Sequence, residues 1–206
     1  MDTSEFDLIV IGAGSTGENV AAGAAERGLD VAIIEQDLVG GDCSYWACMP
    51  SKALLRSGEA RRAAAAVGGV RVGDLDVDDV LARRDSFTSE WDDASQVEWV
   101  EDAGLTLVRG HARLVGEREV VVERDGEPPR RLLARHAVAI ATGTDPAVPD
   151  VPRLREAEPW TTREATSADE VPASLVIIGG GVAACELATA YRDLGAEITI
   201  VARSGL

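Results

Sequence analysis

The chain has 206 residues, of which 46% are hydrophobic, so it can bury a real core and is not wholesale disordered; its length allows one large domain or one complete domain with part of another. A formal net charge of −16 argues against a nucleic-acid or anionic-membrane surface, because no basic stripe outweighs the acidic background, and solubility is the plain reading of the acidity. No apolar run reaches the length of a membrane span, the acidic start Met1-Asp2-Thr3-Ser4-Glu5 lacks the basic opening of a signal peptide, and three cysteines do not make a secreted disulfide framework, so a cytoplasmic location is expected.

Phe6 to Ile11 is a mostly apolar run ending at glycine and predicts a buried parallel strand. Ser15 to Arg27 reads as an Ala-rich helix with Gly28 at its C-cap, and Val31 to Ile34 as a second strand ending at Glu35. Together these form one βαβ unit. Met49 to Val67 predicts a helix opening at Pro50, and Asp76 to Asp102 a second long, charged helix with an approximate apolar stripe. Leu105 to Val108, Ala112 to Val115 and Val120 to Glu123 read as short strands, Arg124-Asp125-Gly126-Glu127 as a hairpin-type turn, and Ala137 to Ala141 as another buried strand. The run Asp145 to Pro152 holds three prolines in seven residues and marks an extended linker at a domain boundary. A second βαβ unit follows: strand Leu175 to Ile178, turn Gly179-Gly180-Gly181, helix Val182 to Leu194 ended by Gly195, and strand Glu197 to Val201. With one crossover and no further strands, the chain is expected to be a truncated portion of a longer protein.

In the first loop, Gly12-x-Gly14-Ser15-Thr16-Gly17, each glycine has a mechanical reason: the tight turn, the close approach of backbone to a pyrophosphate, and helix–strand packing. The following helix N-terminus offers free N–H groups to the phosphates, and Glu35 stands where an acid binds a ribose hydroxyl. The second loop, Gly179-x-Gly181-x-x-Ala184, repeats that logic with the accepted alanine variant. Ala202-Arg203-Ser204 replaces the acid at the end of the next strand; Arg203 there suits the 2′-phosphate of NADP, the alternative being an ordinary surface arginine. Glu186, on the second helix, is a solvated or interface charge or a contributor to the nucleotide site.

Cys43 and Cys48 lie five positions apart, at the start of the helix predicted from Met49. Buried structural thiols and a metal site are the competing readings, but Cys185, His111 and His136 have no ligand-like spacing, and no metal is expected. A redox disulfide fits best, since a helix N-terminus stabilises a thiolate and a close pair in a reducing compartment is more often reactive than structural. Cys185 reads as a small packing residue. Lys52, four residues after Cys48, is either solvated or a buried ammonium beside a ring that gains electron density on reduction.

Gly41-Asp42-Cys43, four residues, then Cys48-Met49-Pro50-Ser51-Lys52 resembles the disulfide segment of the class I pyridine nucleotide-disulfide oxidoreductases, the flavoproteins that include dihydrolipoamide dehydrogenase, glutathione reductase and mercuric reductase. Gly110-His111-Ala112 is similar to the family's segment beside the flavin adenine, Ala141-Thr142-Gly143-Thr144 to its second FAD-contact loop, Gly179 to Glu186 to its nicotinamide-nucleotide loop, and Ala202-Arg203-Ser204 to the mercuric reductase version. The resemblance implies an α/β fold: a Rossmann-like FAD-binding domain, parallel sheet plus β-meander, over residues 1–150, then the start of a Rossmann-like NAD(P)-binding domain over 151–206.

It implies FAD and NADP (or NAD) as cofactors, and electrons passing from NAD(P)H through FAD to a Cys43–Cys48 disulfide. Cys48 would be the flavin-side thiol, Cys43 the interchange thiol, and Lys52 a support for reduced flavin. A small-molecule or disulfide acceptor would follow, and the full-length family member would be a homodimer. Asp42 departs from the family's threonine, and Ser44-Tyr45-Trp46-Ala47 from its small apolar run, so no one member's substrate carries over. The family's third FAD contact, dimerisation domain and His-Glu acid–base pair have no counterpart in these residues. Two alternatives stand beside this reading. Ferredoxin reductases and monooxygenases share both glycine loops but lack the cysteine segment, and an inert nucleotide-binding fragment would carry the motifs without the activity.

Overall fold

A computed structural model describes residues 2–203, so Ser204 of the Ala-Arg-Ser run lies outside the described residues. In chain order the elements begin with β1 (Asp2–Ile11), α1 (Ser15–Ala25), β2 (Val31–Glu35), α2 (Gly41–Tyr45), α3 (Cys48–Ala65), α4 (Val77–Phe87) and α5 (Ala94–Asp102). They continue with β3 (Thr106–Arg109), β4 (His111–Gly116), β5 (Glu119–Glu123), β6 (Arg130–Ile140), α6 (Thr162–Ser167), β7 (Ser174–Ile178), α7 (Val182–Asp193) and β8 (Glu197–Val201). The chain folds as two compact units, each built from two stretches: Met1–Cys43 with Trp91–Asp145, and Ser44–Glu90 with Pro146–Leu206.

The first unit is a six-stranded sheet ordered β3-β2-β1-β6-β5-β4. β3, β2, β1 and β6 run parallel, with Leu8 opposite Val31, Ile11 opposite both Ile34 and Ile140, and Glu35 opposite Arg109. β6, β5 and β4 form an antiparallel meander. Val31 to Ile34 is buried on both faces, as a central parallel strand must be. One face packs Val10, Val31 and Ile33 with Ala21 of α1 and Val100 of α5; the other gathers Ile9, Ile11 and Ile34 with Val120, Val122 and Leu132 of the meander. Each fully buried aliphatic side chain contributes about 1.5–3 kcal/mol. The fold class read from the sequence holds: α/β, mainly parallel, Rossmann-like, with a meander.

Two elements differ from expectation. The long helix expected over Asp76–Asp102 is two helices, α4 and α5. Between them Ser89, Glu90 and Trp91 all take left-handed conformations, with φ of 50°, 53° and 58°. Local side-chain bonds compete with the helix here: Thr88 Oγ1 donates to the Asp85 carbonyl at 3.0 Å, and Asp92 Oδ1 accepts the Ala94 N–H at 2.8 Å. The second difference is β6, which begins at Arg130 rather than Ala137; its first half, Arg130 to His136, carries three arginines and a histidine and so lacks the apolar run of a buried strand.

In the second unit, β7 and β8 pair in parallel from Ser174 opposite Glu197 to Ile178 opposite Val201, joined by the crossover helix α7. Leu54 of α3 and Val80 and Leu81 of α4 pack on Ala190 and Leu194 of α7. α3 meets α7 closely at Gly58, where a Cβ would fall on the side chain of Asp193, itself ion-paired to Arg62. Arg84, almost wholly buried, donates to the carbonyls of Thr166 and Ala168 at 2.9 Å each and so caps the C-terminus of α6 with positive charge.

Candidate functional site

In the first unit the predicted residues gather at the C-terminal ends of the parallel strands, where open α/β sheets bind ligands. Gly12 follows β1, with φ of +100°, and its N–H donates to the Ile34 carbonyl at 2.8 Å. A Cβ there would strike the Ala141 carbonyl and come within 3.2 Å of the Thr142 Cα, so the Ala141-Thr142-Gly143 segment lies directly beside the loop. A Cβ on Gly17 would fall on the Gly12 carbonyl oxygen. Gly14 is the N-cap of α1 without a side-chain cap, which leaves the first-turn N–H groups, with exposed Ser15 and Thr16, open to an anion.

The segment after β2 closes on this loop. Gly40 pairs with Gly14 as an isolated parallel bridge and donates to the Ala13 carbonyl at 2.7 Å. Gly41, with φ of +63°, stands so close that a Cβ would lie 2.8 Å from the Gly14 Cα. Two bare backbones therefore meet at a helix N-terminus, a geometry that suits a diphosphate. Glu35 is held by the Ala13 N–H on Oε2 and the Asp37 N–H on Oε1, both at 2.8 Å, leaving further lone pairs for ribose hydroxyls. Gly110 donates to the Glu35 carbonyl at 2.9 Å, and His111 Nδ1 lies 2.7 Å from Gln36 Oε1, with Ala112 next along β4. These residues fit a dinucleotide. Glu18, the residue after Gly17, has a buried Oε1 with no hydrogen-bond partner; burial, then the Glu35 charge, pushes its carboxyl above the ordinary glutamate range.

Asp42 and Cys43 lie in the short helix α2, with Cys43 half-buried, and Cys48 is exposed as the first residue of α3. The α3 N-cap, Ala47, makes no side-chain cap bond, so the first-turn N–H groups beside Cys48 have no side-chain acceptor at the cap. Lys52, one turn on, reaches Glu186 of α7 at 2.7 and 2.8 Å, and Ser51 Oγ donates to the same carboxylate at 3.1 Å. Glu186 is thus an interhelix partner, joining the helix that starts at Cys48 to the helix that starts at the second glycine loop.

The residues between the cysteines are anchored rather than loose. Tyr45 is buried, the Arg163 guanidinium lies 3.9 Å from the Trp46 ring, and Thr166 Oγ1 donates to the Trp46 carbonyl at 3.2 Å. Sequence reading missed Arg163 and Thr166. The available signal was the capping box Thr161-x-x-Glu164, whose reciprocal bonds start α6.

Gly179, Gly180 and Gly181 line a cleft of 510 Å³ with Ile178, Pro149 and Arg203, a volume in the range of small-ligand pockets. Gly181 caps α7 with extended backbone, and Ala184 and Cys185 lie in its first turn. Among the described residues no group of three or more His, Cys, Asp or Glu could hold a metal ion, and no helix is long and apolar enough to cross a membrane.

Residues 6–205 match the family model described as pyridine nucleotide-disulphide oxidoreductase. The chain is 32% identical to a mercuric reductase of Staphylococcus aureus, over 97% of this chain and 36% of the relative. It is 35% identical to a dihydrolipoyl dehydrogenase of Chlorobaculum parvum, over 97% of this chain and 43% of the relative. Its fold superposes on a Cu(II) complex of a mutant of the HOCl-induced flavoprotein disulfide reductase RclA from Escherichia coli with a TM-score of 0.83 at 22% identity, over all of this chain and 44% of that one. The chain spans less than half the length of each of these proteins. Two glycine loops, a cysteine pair between them, and a family match running almost end to end place this chain in the pyridine nucleotide-disulphide oxidoreductase family of flavoproteins.

Proposed function

We propose that the protein is the FAD- and nicotinamide-nucleotide-binding portion of a disulfide-type oxidoreductase. In this reading residues 1–150 form the FAD domain and 151–206 the start of the NAD(P) domain. Gly12, Gly14, Ser15, Thr16, Gly17, Glu35, Gly41, Asp42, His111, Ala112, Ala141, Thr142 and Gly143 hold FAD, while Gly179, Gly181, Ala184 and Arg203 hold NADP in preference to NAD. Bound FAD would supply two-electron carriage between nicotinamide and disulfide. The chain's own part is to place Cys48 at the α3 N-terminus as the flavin-side thiol, to offer the half-buried Cys43 as the interchange thiol for the acceptor, and to set the Lys52 amino group one turn from Cys48. The acceptor is a small molecule or a disulfide. The location is cytoplasmic, where thiols stay reduced between turnovers, and the full-length family member is a homodimer.

One observation carries the reading: Lys52, one turn from Cys48, shares the Glu186 carboxylate of the helix that opens at the second glycine loop. The thiol and the nucleotide loop thereby rest on two helices locked to each other. A second reading, a nucleotide-binding chain without turnover, is favoured by the exposed apolar face of β7 and β8, where Val176 is 63% and Val201 53% exposed. An anaerobic titration of the FAD-loaded chain with NADPH and then NADH separates the two. Flavin reduction, with a long-wavelength charge-transfer band that disappears in Cys48→Ser, supports the oxidoreductase reading, and the better reductant tests Arg203. Bound flavin that neither nucleotide reduces supports the second. A chain that takes up no FAD overturns both.

A further inference from the structure

We propose that Asp93 and Arg109 are positioning residues of the flavin site: together they hold segment 37–41 so that Gly40 and Gly41 stay closed on Gly14. The proposal rests on the flavin reading above. Neither residue belongs to a glycine loop or to the cysteine segment. Asp93 immediately precedes α5, and Arg109 ends β3, in register with Glu35. Asp93 Oδ2 accepts the Val39 N–H at 2.7 Å and the Arg109 guanidinium at 2.5 Å, and Arg109 Nη1 donates to the Asp37 carbonyl at 2.5 Å. Both side chains are largely shielded, 15% and 25% exposed, which strengthens a charge-assisted bond relative to a surface pair.

Segment 37–41 has no strand or helix of its own before α2, so its path depends on such bonds. Its far end is the close approach of Gly41 to Gly14 and the Gly40–Ala13 bond at 2.7 Å. If the segment swung away, one of the two bare backbones that flank the α1 N-terminus would leave, and the diphosphate cradle would open. A second, independent feature points to the same place. Ser89, Glu90 and Trp91 hold three consecutive left-handed conformations, which L-residues avoid and which persist only where surrounding structure over-determines them. This turn ends two residues before Asp93. The chain retains an unfavourable turn at the point where it must present that carboxylate to Val39 and Arg109.

The test is the FAD dissociation constant of the flavin-stripped chain, measured by flavin fluorescence for wild type, Asp93→Ala, Asp93→Asn, Arg109→Met and the double variant Asp93→Ala/Arg109→Met. Asp93→Asn keeps the shape and an acceptor for Val39, and carries the test should the alanine variant not fold. Each single loss of a charge-assisted contact is expected to weaken FAD about ten- to hundredfold. The double variant is expected to be no weaker than the worse single one, because the residues act as a unit. Nicotinamide-nucleotide affinity, which depends on the other compact unit, serves as control and should stay within about twofold. Folded variants that bind FAD like wild type overturn the proposal alone. So does a fall in both affinities together, which marks general destabilisation. Wild-type chain that takes up no FAD overturns the flavin reading and this proposal with it.

Discussion

The two glycine loops share backbone geometry and differ in what surrounds them. Gly12 and Gly179 have φ of +100° and +126°, and each donates its N–H to the end of the neighbouring strand, at 2.8 Å to Ile34 and 2.9 Å to Val201. Gly14 and Gly181 cap their helices with almost the same angles, −87°/−178° and −81°/−179°. Yet a Cβ on Gly12 or Gly17 would strike backbone, whereas a Cβ on Gly179 or Gly181 would meet nothing within 4 Å. In the first loop the protein's own fold leaves no room for a side chain at Gly12 and Gly17, whereas at Gly14 a Cβ would make only ordinary contact, 3.8 Å from the Gly41 Cα. In the second, φ alone requires Gly179, and nothing in the protein's own packing requires glycine at 181. One sequence pattern thus reports two different constraints.

The largest expected effect breaks the first loop. Gly17→Ala would drive a methyl into the Gly12 carbonyl, with the Ala141 Cβ 3.4 Å away and no flexible side chain to give way. We expect a loss of about 3 kcal/mol or more, in the range of overpacked cores, seen as insoluble expression or as an early-melting first unit in thermal unfolding followed by circular dichroism. Gly179→Ala comes next. It faces open space but must adopt a φ that an L-residue resists, so a cost of about 1–2 kcal/mol is expected in the same measurement. If Gly179→Ala proved as damaging as Gly17→Ala, the contrast between a crowded and an open loop would be wrong.

The elements that sequence reading placed well are those whose signal is local. β1-α1-β2 and β7-α7-β8 carry apolar runs bounded by glycine, and Gly28 and Gly195, with φ of +84° and +102°, end their helices where expected. The split of Asp76–Asp102 was harder to read: Thr88 and Asp92 signal a break only through their own side-chain bonds, and charge spacing continued past both. The site divides in the same way. The glycines, Glu35 and the cysteines were legible because their chemistry is tied to fixed spacing. Asp93 and Arg109 lie 16 residues apart and carry no motif, since their partners at 37 and 39 are brought near only by the fold. Arg84 gave no sign that it would be buried at 1% exposure, because what it caps is a helix 82 residues later.

Glu18 sharpens the comparison at the next position. The residue after the third glycine is a glutamate in the first loop, while its counterpart after Ala184 is the uncharged Cys185. Burial and the Glu35 charge raise the Glu18 pKa in the folded state. The folded chain therefore binds this proton more tightly than the unfolded chain, so stability from Glu18 is fully present below its unfolded pKa and is lost as pH rises through the folded value. Glu18→Gln is expected to raise the melting temperature at pH 7 by about 2–4 °C, from roughly 1 kcal/mol of relieved desolvation, and to do little at pH 4, where wild type already carries the proton. A gain of equal size at both pH values would mean that the amide makes a new contact and that titration is not the cause.

The smallest effect on stability tests why the second loop carries glycine at 181. Gly181 has extended backbone that any residue adopts and no neighbour within 4 Å of a would-be Cβ, so Gly181→Ala should change the melting temperature within the scatter of surface substitutions, about 0.5 kcal/mol. A methyl there would nonetheless stand at the N-terminus of α7, in the cleft bounded by Arg203, where a nicotinamide nucleotide's pyrophosphate would approach. Isothermal titration with NADPH should then show affinity reduced about tenfold or more in a variant as stable as wild type, since a lost close approach costs at least one charge-assisted bond. Affinity and stability both unchanged would mean that the nucleotide does not press on this glycine, and that the second loop keeps the pattern without the contact that explains it in the first.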